Sequence, residues 1–206
     1  MADLTNRIDY LASTEVVDWD HPEVRQLADD LAGGARDSVV IAQRCFEWVR
    51  DEIQHSMDFG RTELTCRASE VLAHRTGFCY AKSHLLAALL RANEIPAGFC
   101  YQRLSVDGIG PPHSLHGLNA VWLSGIGWYR IDARGNKLGV DAQFSPPVER
   151  LAFKIEFPGE FDLEGVFSEP LPAIVEALKR YDTVGQLAEN LPDVARSDRQ
   201  LISESM

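Results

Sequence analysis

Apolar positions recur with a helical period over the first half of the chain and with a strand period through its middle. PEVRQLADDLAGG (22–34) opens on Pro22, which suits a first helical turn, and stops at Gly33-Gly34. Asp37 is placed to cap a helix reaching about Ile53. In that helix Ala42, Cys45, Phe46, Val49 and Ile53 fall on one face, so Cys45 reads as core. Upstream, Glu15–Trp19 has a short β-like pattern, and 56–68 reads as a loop. Ser69 is a candidate cap for a short helix, SEVLAHR. A helix from about Cys79 to Asn93 follows the Gly77 turn, and its apolar residues surround most of its circumference. Such a helix is buried in a globular protein, and its first turn carries Cys79.

The period changes after Pro96. FCYQRL (99–104), HGLNAVWL (116–123) and WYRIDA (128–133) read as strands, separated by the Gly/Pro loop 108–113 and the turn SGIG (124–127). A β-meander after a helical half predicts an α+β fold. Residues 149–206 hold 12 acids against 6 bases and read as an acidic, mostly helical extension, with helices near 172–180 and 184–191. A length of 206 residues fits one domain over 1–206, with its core at about 36–135 and the extension at about 149–206.

Charge narrows the partners. The net charge of −11 disfavours nucleic acid and anionic membranes, which call for a basic face. No apolar run reaches the ~18 residues that cross a bilayer, and MADLTNRIDYLAS lacks a basic segment followed by an apolar one. Cys45, Cys66, Cys79 and Cys100 are then expected as reduced thiols in a cytoplasmic protein.

One constellation carries chemistry. Cys79 starts a buried helix, where unpaired N–H groups and the helix dipole favour a thiolate. If 116–123 and 128–133 pair about SGIG, residues summing to roughly 248–252 face each other, and an even register puts His116 and Asp132 on one face. Imidazole, carboxylate and thiol in this arrangement suit a Cys-His-Asp site.

TGFCYAKSHLLAALLRANEIPAGFCY (76–101) and HGLNAVWLSGIGWYRIDA (116–133) resemble the nucleophile segment and the His and Asp strands of the transglutaminase-like superfamily, a branch of the papain-like cysteine hydrolases. The resemblance implies a buried helix bearing the Cys, packed on an antiparallel sheet bearing His and Asp. It implies Cys79 as nucleophile, His116 as general base and acid, and Asp132 as the residue orienting the imidazole. It also implies a peptide, protein or small amide substrate, with no metal or cofactor. The sequence departs from the family at His116-Gly117-Leu118, where His-Ala-Trp is usual, and at Ala133-Arg134, where Pro-Thr often follows the Asp. His55 stands where an aromatic residue is common. These flanks keep a second reading open, a non-catalytic binding domain with the same fold.

Other residues read as follows. Cys66, His74, Cys79 and His84 lack the close pairs of a zinc site. His113 is a loop residue that could reach substrate, and Trp122 and Trp128 are core or groove wall. Cys100 reads as packing. Arg75 and Arg134 are candidates for a substrate carboxylate or for surface ion pairs, and Gln54 and His55 are candidates for a second oxyanion donor.

Overall fold

In the computed structural model, which describes residues 7–194, helix α4 (Cys79–Ala92) is the centre: every side chain from Cys79 through Arg91 is buried. Helices α1 (Pro22–Ala32), α2 (Ser38–Glu52) and α3 (Ala68–His74) pack on one side of it. On the other side lies a four-stranded antiparallel sheet. Its order is β5-β4-β3-β6, formed by β3 (Ala97–Ser105), β4 (His113–Leu123), β5 (Gly127–Ile131) and the two-residue β6 (Phe161–Asp162). A parallel pair, β1 (Gln54–His55) and β2 (Thr76–Gly77), leads into α4. Helices α5 (Pro172–Arg180) and α6 (Val184–Ala188) close the described chain.

The helix signals act as their chemistry requires. Asp37 Oδ1 accepts from Val39 N at 2.9 Å, and Ile41, Ala42, Cys45, Phe46 and Val49 are buried. Alternation along the strands sorts the sheet into two faces. Phe99, Tyr101, Leu115, Val121, Tyr129 and Ile131 join the large core, while Cys100, Leu118 and Ala120 form a separate cluster with Trp128, Leu151 and Val166. His116, Asp132 and Gln102 follow the parity of the second set.

Four local expectations are corrected. Residues 15–19 form bends and a turn, not a strand, because Val16 and Val17 are buried without a strand partner and Asp18 is used elsewhere. Ser69 is not the cap of α3. It sits inside the first turn, where its N–H and hydroxyl donate to Asp18 at 3.0 and 2.6 Å, while the Glu70 carboxylate accepts from Cys66 N and Arg67 N. The free N–H groups of that helix end are thus served by a carboxylate far away in sequence and by a reach-back from the third helical residue. Residues 149–171 are not helical; they run along the sheet, and β6 extends it beside β3. The second C-terminal helix ends at Ala188.

Candidate active site

Cys79 is the first residue of α4, set there by the extended Phe78 (φ −66°, ψ 165°). Its helix reaches the sheet closely because residue 117 is glycine. A Cβ at Gly117 would stand 2.9 Å from Tyr80 Cδ1 and 3.4 Å from Tyr80 Cα. The bare Cα lets the helix start settle on β4 beside His116. The Tyr80 hydroxyl donates to Leu115 O at 2.5 Å and ties the same two elements.

β4 and β5 pair from Asn119↔Ile131 to Leu123↔Gly127, so paired numbers sum to 250. Beyond that ladder the strands diverge, and His116 and Asp132 meet there through Nε2 and Oδ2 at 2.8 Å. Asp132 also accepts from Arg134 N on Oδ1 and from Ala152 N on Oδ2, both at 3.1 Å. Burial works against its ionisation, but His116 and these N–H donors outweigh it, so the carboxyl pKa lies below its ordinary value. With Nε2 engaged, Nδ1 is the imidazole nitrogen left for the sulfur, and Cys79 and His116 line the same cavity. Burial opposes a charged imidazole here too, but Asp132 and Cys79 together push the His116 pKa up to about 10.

Cys79 and His116 open on a cavity of about 1270 Å³. His55 lines it and Gln54 does not; the Gln54 side chain turns to Arg61. The His55 ring packs 5.2 Å from Phe78, and its Nδ1 is buried without a hydrogen-bond partner. Burial first, then the Arg134 charge, drops its pKa to about 3, so this imidazole is neutral. Arg134 also lines the cavity, but both its terminal nitrogens bond Asp58, which Lys137 shares. Arg75 lies over Trp48, away from the cavity. His113 begins β4 and contacts Pro158 O at 3.2 Å. Trp122 and Trp128 pair across β4 and β5 at 5.7 Å and line no part of the cavity.

His84 is inside the core with Nδ1 2.7 Å from Cys66 O, and His74 is exposed at the end of α3. Among the described residues, no group of three or more His, Cys, Asp or Glu side chains lies placed to hold a metal ion. Two contributors escaped the sequence reading: Ala152, which acts through its backbone N–H, and Phe153, whose ring meets His116 edge-to-face at 5.0 Å. Neither function leaves a motif.

The sequence profile of the transglutaminase-like superfamily core matches residues 25–133, a span containing Cys79, His116 and Asp132. The chain belongs to the transglutaminase-like superfamily. Among solved structures this superfamily member is similar to a candidate cysteine protease from Cytophaga hutchinsonii, at 22% identity and a TM-score of 0.52. That match covers 63% of this chain and 42% of the other. The periplasmic domain of TgpA from Pseudomonas aeruginosa matches at 20% identity and a TM-score of 0.48, covering 64% of this chain and 47% of that one. The chain thus spans less than half the length of either protein. No protein of curated function matches it. Among the described residues no helix is long and apolar enough to cross a membrane, and all four cysteines are free thiols.

Proposed function

We propose that this superfamily member is a thiol-dependent acyl-transfer enzyme acting on an amide or peptide bond. The observation that carries the reading is one imidazole bonded to a buried carboxylate and sharing the wall of a large cavity with a helix-start thiol. In the proposed reaction the Cys79 thiol gives its proton to His116, and the sulfur attacks the substrate carbonyl carbon. The tetrahedral oxyanion is met by the Cys79 backbone N–H and by the neutral His55 imidazole. The carbon–nitrogen bond breaks as His116 returns the proton to the leaving amine, which leaves a thioester. Water or a second amine then attacks that carbonyl, losing a proton to His116, and the sulfur departs and regains a proton from the same ring. Asp132 holds the ring and balances its charge throughout.

A cavity of about 1270 Å³ suits a peptide segment more than a small ligand, since small-molecule sites span about 300–1,000 Å³. We propose a peptide or protein substrate, and the cytoplasm as compartment, which four unpaired thiols support.

The test is intact-mass spectrometry of the whole chain after mixing with a peptide amide library. A thioester adduct that maps to Cys79, clears with added methylamine and is missing in Cys79→Ala is expected. A chain that forms no adduct and cleaves no amide would sink the proposal in favour of a non-catalytic domain.

A further inference from the structure

The superfamily match ends at Ala133, yet the His116–Asp132 pair is completed by residues beyond it. Asp132 Oδ2, the oxygen bonded to His116, also accepts from Ala152 N. The next residue, Phe153, sets its ring 5.0 Å from the imidazole at 88°. The Arg134 guanidinium stands 5.5 Å from the same phenyl ring. Phe153 is only partly buried and lines the cavity. Phe153 and His116 thus share the cavity wall, while Asp132 lies behind it, buried.

The segment is held at both ends. Before it, Glu149 receives Arg130, and Gln143 N donates to Arg150 O at 3.0 Å. After it, the Glu160 carboxylate accepts from Glu156 N, Phe157 N and Ser105 N at 2.8, 2.9 and 2.8 Å. Arg103 and His113 add bonds to the carbonyls of Gly159 and Pro158. A ring carried on so firmly clamped a strap keeps its place.

We propose that Phe153 is a positioning residue for His116: its ring fixes the imidazole against Asp132 and keeps the Nε2–H···Oδ2 bond dry. A hydrogen bond to a charged group strengthens as water is excluded around it, and an imidazole with a filled third side cannot swing away from its acceptor. The phenyl edge-to-face contact also favours one ring orientation. The inference concerns the His116 that the proposed mechanism uses, but its test reads the hydrogen bond itself and needs no turnover.

The experiment is proton NMR of the full chain with labelled histidine, following the His116 Nε2 proton and its exchange with water. The parent chain is expected to show a downfield, protected proton. Phe153→Ala should speed its exchange at least tenfold, and Phe153→Leu, which refills the apolar volume, should restore protection. Far-UV circular dichroism confirms that each variant is folded; if the alanine chain does not fold, Phe153→Val serves in its place. The proposal is overturned by unchanged exchange in the truncated variant, by absence of a protected proton in the parent, or by equal loss in the alanine and leucine variants. Failure of the thiol chemistry alone would look different: a protected proton sensitive to Phe153, with no thioester on Cys79.

Discussion

His116 and Asp132 join at 2.8 Å just past the point where their strands stop pairing, so the bond depends on side chains rather than on the ladder. Asp132→Asn should therefore leave the sheet intact. The amide cannot balance a protonated imidazole, and thioester formation should fall on the order of a thousandfold or more. Stopped-flow acylation of the folded variant, with its circular dichroism unchanged, measures this.

The same pair shapes stability against pH. A histidine whose pKa rises on folding, here from 6.5 to about 10, contributes fully below pH 6.5 and loses that contribution as pH climbs toward 10. Urea midpoints should fall across that window in the parent chain and much less in Asp132→Asn. An equal decline in both would remove the linkage.

Lys82 pulls the other way. Its ammonium is buried one turn after Cys79 and donates to the carbonyls of Arg50 and Ile53 at the end of α2. Burial and the Arg134 charge lower its pKa from 10.5 to about 7. The unfolded chain binds the extra proton between those values, so this residue makes stability rise with pH there. Lys82→Met should cost about 1–3 kcal/mol by orphaning two carbonyls. It should also steepen the alkaline fall that His116 causes; a shallower fall would contradict the assignment.

Gly117 and Tyr80 should behave as a pair. Gly117→Ala places a methyl 2.9 Å from Tyr80 Cδ1, an overpacking cost of about 1–3 kcal/mol. It should also displace the start of α4 and slow alkylation of Cys79. Adding Tyr80→Ala should recover much of the loss, and a double-mutant cycle with no coupling would show that the contact is relaxed by other means.

Among the thiols, brief iodoacetamide treatment at neutral pH should label Cys79 alone. Burial pushes the pKa of Cys45 and Cys100 up to about 12 and that of Cys66 to about 11. Peptide mass mapping reads the result, and labelling of Cys66 ahead of Cys79 would be the contrary outcome.

The sequence made legible what depends on repetition. Ala42, Cys45, Phe46 and Val49 announce α2 because burial selects every third or fourth position, and the strand alternation of 116–123 announces both register and face. What depends on distant partners was hidden. Nothing local to Ser69 says that Asp18 will take its N–H, and nothing in 149–171 has a period, since that stretch is irregular and satisfies its polar groups one at a time. Phe153 was illegible for the same reason: its role comes from where Glu149 and Glu160 anchor it.

The strap also sets an order of events during synthesis. A chain that has emerged only as far as Ala133 already holds the thiol, the imidazole and the carboxylate, but no amide from Ala152 to complete Asp132 and no phenyl ring over His116. The last bonds of the constellation form only once translation has moved on past residue 153. Until then the thiol stands beside an imidazole and a carboxylate that lack their outer contacts.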